Sequence, residues 1–171
     1  MMDKKKAIAG LKIALQTELN GIEFYKMAAE RTDDKKGKEV FSMLAEDEVK
    51  HFNTLQKHYQ SLITSSKWAP SISLGEASTI FKGESPIFSD ELKSRIREKH
   101  FEMSALSIGA LLESNSIDFY RQMKESTDDE IARKLFADLQ KWEEEHLEAI
   151  TKQLDLLKEE YWAEQKFTPL F

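Results

Sequence analysis

Apolar residues recur at three- and four-residue steps through four stretches of the chain, the period of an amphipathic helix. Leu11, Leu15, Ile22 and Tyr25 mark the first stretch, from about Lys4 to Arg31, and Val40, Leu44, Leu55 and Leu62 mark the second, which ends near Ile63. Leu106, Ala110, Ile117 and Tyr120 mark a third, from about Asp90 to Glu125, and Leu135, Leu139, Ile150 and Leu157 a fourth, from about Asp129 to Tyr161. Thr32-Asp33-Asp34 and Thr127-Asp128-Asp129 separate the members of each pair and offer caps to the helix that follows, as Ser89-Asp90-Glu91 does for the third. Residues 64–89 break the period with Ser65, Ser66, Pro70, Ser71, Ser73, Gly75, Gly83 and Pro86, leaving room for one short helix over Leu74–Phe81. Trp68, Ile72, Leu74, Ile80, Phe81, Ile87 and Phe88 in that segment ask for burial, which argues for an ordered crossover. The expected fold is all-α: a four-helix bundle of two helical hairpins, about 4–63 and about 90–161, joined by a long crossover and followed by a tail, 162–171. All of it, 1–171, reads as a single domain.

The stripes are not wholly apolar. Glu18 lies in the first, Glu48 and His51 in the second, Glu113 in the third, and Glu143 and His146 in the fourth. Each half thus carries a lone Glu followed 30 residues later by Glu-x-x-His, and the halves are offset by 95 residues. Sliding residues 13–62 onto 108–157 without a gap gives 16 identities in 50 positions. They include Ile22/Ile117, Phe24/Phe119, Tyr25/Tyr120, Phe41/Phe136, Leu44/Leu139 and both Thr-Asp-Asp turns. Self-similarity at a fixed offset is an architectural signal. Shared helical composition accounts for matches of Leu and Lys, but not for Glu, Glu and His all coinciding.

Residues three apart on a helix share a face, so Glu48 with His51 can grip one ion and Glu143 with His146 another. A carboxylate has two oxygens and can bridge two ions, whereas each imidazole terminates one. Four carboxylates and two imidazoles without thiolate suit iron or manganese, and zinc would also bind. Left empty among apolar neighbours, such a cluster repels itself or holds protons. Glu144, Glu145 and Glu148 point away from the stripe and read as solvated. His58 and His100 face Gln153 and Lys5 at the repeated position, so surface or helix-end roles are expected for them. Tyr25 and Tyr120 sit two turns after the lone Glu, where core packing outweighs hydrogen bonding to the carboxylates.

Composition narrows the chemistry further. Among 171 residues there is no Cys, which removes disulfides, thiolate zinc sites, iron–sulfur clusters and cysteine nucleophiles. Three Pro and six Gly with 33% charged residues fit a helical protein. A net charge of -6 argues against nucleic acid as a partner. No apolar run is long enough for a membrane span and no charged-then-apolar leader suggests export, so a cytoplasmic location is expected. Apolar groups on the crossover and tail (Trp68, Phe81, Trp162, Phe171) suggest a homodimer or higher homo-oligomer.

With Glu18 and Phe24-Tyr25, the run Leu44-Ala45-Glu46-Asp47-Glu48-Val49-Lys50-His51, and their counterparts in the second half, the whole chain resembles the rubrerythrin branch of the ferritin-like proteins. The resemblance implies a ferritin-like bundle with two iron ions, held by Glu18, Glu48, His51, Glu113, Glu143 and His146. It also implies Tyr25 and Tyr120 as hydrogen-bond partners of those ligands. The implied activity is a non-haem di-iron oxidoreductase that reduces hydrogen peroxide or dioxygen. Iron oxidation and storage, di-iron hydroxylation and manganese catalase chemistry are the alternatives. Two departures stand out. Rubrerythrins carry a rubredoxin-like module with four Cys that delivers electrons; this chain has none, so a separate electron-donor protein is expected. Rubrerythrins also have a further Glu one turn after the lone Glu of the third helix, which exchanges with a His during redox cycling. Ser116 occupies that place here, with Gly21 opposite it in the repeat, which brings the ligand count closer to ferritins.

Overall fold

In the computed structural model, which describes residues 4–70, 74 and 100–164, four helices account for nearly all the described chain. They are α1 (Lys4–Arg31), α2 (Lys35–Ser65), α3 (His100–Ser126) and α4 (Glu130–Glu164). α1 packs on α2 and α3 on α4 as two hairpins, and α1 also meets α3, giving the expected four-helix bundle with no strand among the described residues. The helix ends follow the sequence reading closely where they can be compared. The expected start of the third helix at Asp90, the short helix at Leu74–Phe81 apart from Leu74 itself, and the tail lie outside the described residues, apart from the end of α4.

The two Thr-Asp-Asp turns do the same work in each hairpin. The Oγ1 atoms of Thr32 and Thr127 accept from the backbone N–H of Asp34 and Asp129, each at 3.2 Å. Oδ1 of Asp34 then caps α2 by accepting from Gly37 N–H at 2.7 Å, and Oδ1 of Asp129 caps α4 by accepting from Ala132 N–H at 3.0 Å. A side-chain acceptor here satisfies one of the donors left open at a helix start. Asp34→Ala and Asp129→Ala are each expected to destabilise the fold by about 1 kcal/mol, and because the turns are far apart the double variant should cost the sum. Thermal unfolding of the three variants checks this.

Packing divides the interior into two apolar clusters. One joins the end of α1 and start of α2 (Tyr25, Phe41, Leu44) to the start of α3 and end of α4 (Leu106, Ile150, Leu157). The other joins the start of α1 and end of α2 (Leu11, Leu55) to the end of α3 and start of α4 (Tyr120, Phe136, Leu139). Repeat partners therefore fall in opposite clusters, Phe41 in one and Phe136 in the other, as an approximate two-fold axis across the bundle requires. The six conspicuous polar residues sit on the same inward faces, so dry layers flank them along the bundle.

From the crossover, Trp68 packs against His58 and Phe136, with ring centroids 5.7 and 6.0 Å away, and Leu74 is buried. Leu74 bears out the expected burial and Trp68, half-buried, does so in part, whereas Trp162 is 38% exposed. Phe81 and Phe171 lie outside the described residues. Among the described residues, no helix is long and apolar enough to cross a membrane.

Candidate metal centre

Half-way along the bundle, Glu18, Glu48, His51, Glu113, Glu143 and His146 are all buried, and all six converge. Their donor atoms form two groups, each closed to within 4.8 Å: Glu18, Glu48, His51 and Glu143; and Glu48, Glu113, Glu143 and His146. Glu48 and Glu143 belong to both. Nδ1 of His51 lies 3.2 Å from Glu18, 3.3 Å from Oε2 of Glu48 and 3.3 Å from Oε1 of Glu143. Nδ1 of His146 lies 3.4 Å from Oε2 of Glu143, 3.8 Å from Oε1 of Glu48 and 3.8 Å from Glu113. Each shared Glu thus turns one oxygen to each imidazole. The pairing is finer than the spacing suggests: the Glu of each Glu-x-x-His serves both halves, and the lone Glu and the His belong to one half each.

Electrostatics describe a site that wants positive charge. Burial, then Glu143 and Glu18, push the Glu48 carboxyl well above the usual range. Burial and Glu143 push Glu113 up to about 8. Burial acts the same way on Glu143, but His51 and His146 outweigh it and hold this carboxyl below the usual range. Burial opposes charging of the two imidazoles, yet the surrounding carboxylates raise both above the ordinary value. Without a cation, protons therefore stand in for it on Glu48, Glu113 and the imidazoles. Both oxygens of Glu143 lack a hydrogen bond among the described residues, although two imidazole nitrogens stand within 3.4 Å. The two imidazoles supply charge but no hydrogen bond of good geometry, and a hard or borderline cation accepting oxygen and imidazole donors fits the place.

Position along the helix favours core packing for Tyr25 and Tyr120, and both do lie in the apolar clusters; the structure adds the hydrogen bonds to the carboxylates that the resemblance implies. Tyr25 donates to Glu113 and Tyr120 donates to Glu18, both fully buried. Each Tyr thus reaches the lone Glu of the other hairpin, which also fixes α1 and α3 as antiparallel. Burial first, then the facing carboxylates, raise both phenols well above their ordinary value, so they remain donors. Sequence spacing places each Tyr on the same face as its own Glu, but only the packing of α1 on α3 reveals which Glu it meets. Gly109 leaves room for Tyr25: a Cβ there would stand 3.3 Å from its hydroxyl, a tight contact. Tyr25→Phe should weaken metal binding by about 10–100-fold while leaving the fold intact, as loss of such ligand-orienting partners generally does. Competition with a chromophoric chelator measures it.

His58, expected at the surface, is buried against Trp68, and burial lowers its pKa against the opposing pull of Asp129. The sequence does carry the signal: His51, Leu55, His58 and Leu62 follow one stripe, and the repeat partner Gln153 is buried as well. His100 is exposed at the first turn of α3, as expected. Glu144 and Glu148 are exposed and Glu145 half-buried, which bears out their solvated reading. Asp47 escapes the ligand pattern altogether. It is fully buried, and Oδ2 lies 3.4 Å from Nε2 of His146. Its position three residues after Leu44 and four before His51 places it on the inward stripe.

The rubrerythrin family model matches residues 9–154. The chain belongs to the rubrerythrin family. No curated protein and no solved structure gave a match. For this family member the match spans both hairpins, from before Glu18 to beyond His146, so the converged cluster lies wholly within the matched region.

Proposed function

We propose that Glu18, Glu48, His51, Glu113, Glu143 and His146 hold two iron ions, and that the protein reduces hydrogen peroxide or dioxygen with electrons from a separate donor protein. The observation that carries this reading is the sharing of Glu48 and Glu143, each with one oxygen toward His51 and the other toward His146. With that arrangement Glu48 and Glu143 would help to hold both of two neighbouring cations, and family membership supports iron. When bound, the ion pair supplies two electrons and Lewis acidity to the oxidant. Hydrogen peroxide plus two electrons and two protons gives two molecules of water. Zero Cys in these 171 residues, and so no iron–sulfur or rubredoxin-type centre within them, supports a separate donor.

The residues supply the rest. Glu18 and Glu113 terminate the two ends of the cluster, oriented by Tyr120 and Tyr25. The buried carboxyls change their proton load when cations enter or leave, and the dry layers on both sides exclude bulk water and hold the ligands rigid. A homodimer, within which such chains would stack apolar surface, belongs to the same proposal.

One observation favours iron oxidation as a second reading. A Cβ at Gly21 would stand 3.3 Å from the Glu48 side chain, a tight contact, and Gly21 itself brings no further carboxylate. Its counterpart Ser116 is buried and brings no carboxylate either. A fixed ligand set of this kind also suits iron oxidation. Anaerobic reduction of the iron-loaded protein, followed by rapid mixing with peroxide or dioxygen, separates the two. Faster reoxidation by peroxide, with turnover sustained by a reductant, supports the peroxidase reading. Preference for dioxygen with accumulation of ferric mineral overturns it in favour of storage.

A further inference from the structure

Behind the six ligands the repeat breaks. Position 47 is Asp and its counterpart, position 142, is Trp. Asp47 is fully buried, with Oδ2 3.4 Å from Nε2 of His146 and Oδ1 accepting from Lys50 at 2.6 Å. Trp142 instead lies edge-on to His51, with ring centroids 5.1 Å apart, and Nε2 of His51 has no hydrogen-bond partner among the described residues. Both imidazoles turn Nδ1 toward the shared carboxylates. The same ligand is therefore backed by a carboxylate in one half and by an indole in the other.

We infer that the two metal positions are inequivalent: the position at His146 fills first and holds its ion more tightly, and Asp47 is the positioning residue responsible. This rests on the reading that the six residues hold two ions. A carboxylate accepting from the remote ring N–H fixes the tautomer whose Nδ1 lone pair is free for the metal. It also holds the ring in orientation and makes that nitrogen a better donor, effects commonly worth 10–100-fold in affinity. Indole cannot act the same way, because its N–H only donates. Trp142 confines the His51 ring by packing, and that ring's remote nitrogen has no acceptor among the described residues. Lys50, partly exposed, anchors Asp47 from the outer side and lies 5.8 Å from the centroid of the Trp142 ring.

The test is anaerobic titration of the metal-free, full-length chain with Co2+, followed by calorimetry and by the visible absorption of the bound ion. Two steps separated by about tenfold or more are expected. Asp47→Asn, close in size, should weaken the tighter step by about 10–100-fold and leave the weaker step in place, merging the two. Proton spectra of the Co2+-loaded protein give an independent signature. The hyperfine-shifted ring N–H of His146 should exchange slowly with solvent in the parent chain and faster in Asp47→Asn. Should Asp47→Asn fail to fold, His51→Ala should retain one tightly bound ion and His146→Ala only a weak one. Two equal sites in the parent chain, or equal weakening of both steps by Asp47→Asn, overturns the inference while leaving the two-ion reading intact. Absence of any Co2+ binding overturns both.

Discussion

Glu143→Gln is expected to empty both metal positions together, whereas Glu18→Gln or Glu113→Gln should spare one. Glu143 presents one oxygen to each half of the cluster, 3.3 Å from His51 and 3.4 Å from His146, and belongs to both donor groups. A Gln can offer only one oxygen and no charge. The loss in affinity should exceed the roughly 10–100-fold that follows removal of an outer partner. The metal-free proteins should behave in the opposite order. Glu143 is the carboxylate held ionised between two imidazoles, so Glu143→Gln leaves His51 without its main counter-charge and His146 without one of its carboxylate partners, and should lower the melting temperature. Glu113 is pushed toward its neutral form, so the neutral amide in Glu113→Gln should be tolerated in the metal-free chain. Metal content after dialysis, together with thermal unfolding of metal-free samples, reads both effects. A Glu143→Gln protein that keeps one ion at full affinity would show that the two halves do not share this carboxylate.

The second large effect is on pH. Glu113 rises from 4.5 to about 8, chiefly through burial and then through Glu143. A raised carboxyl contributes stability that is complete below 4.5 and is lost as pH climbs through about 8. Glu48 is raised in the same sense, by burial first. The imidazoles of His51 and His146 are raised as well, so their contribution is present below 6.5 and is also lost as pH rises. Glu143 alone runs the other way: its contribution is lost as pH falls. The metal-free protein should therefore lose stability between pH 4.5 and about 8, by several kcal/mol, since each tenfold change in a proton affinity on folding is worth about 1.4 kcal/mol. In a chain of this size that is a fall in melting temperature on the order of 10 °C. Metal binding displaces those protons, so the loaded protein should gain stability over the same range and the gap between the two forms should widen. Calorimetry of metal binding at pH 7 in buffers with different ionisation heats should register proton release. A metal-free melting temperature that rises steadily across this range would contradict the assignment of protons to Glu48 and Glu113.

Periodicity and the 95-residue repeat are sufficient to read four helices, both Thr-Asp-Asp caps and all six converging residues from the chain alone. The physical reason is that each of these features is local or is stated twice. A helix face is set by three- and four-residue steps. A polar residue kept inside an apolar stripe at the same place in both halves needs a shared partner, which two facing hairpins provide.

Tertiary structure decided the features that depend on how one helix meets another. Periodicity puts Tyr25 on the inward face, but the antiparallel packing of α1 on α3 sends its hydroxyl to Glu113 and not to Glu18. Spacing pairs Glu48 with His51, but the meeting of α2 and α4 gives Glu48 a second oxygen contact to His146. His58 and Asp47 both lie on the inward stripe, yet neither is matched in kind by its repeat partner, so the repeat that reveals the six clustered residues conceals these two. Symmetry in the sequence determined where charge gathers. The packed structure decided where that symmetry fails, because the groups behind His51 and His146 come from the opposing hairpin, whose residue at the matched place is Trp142 in one case and Asp47 in the other.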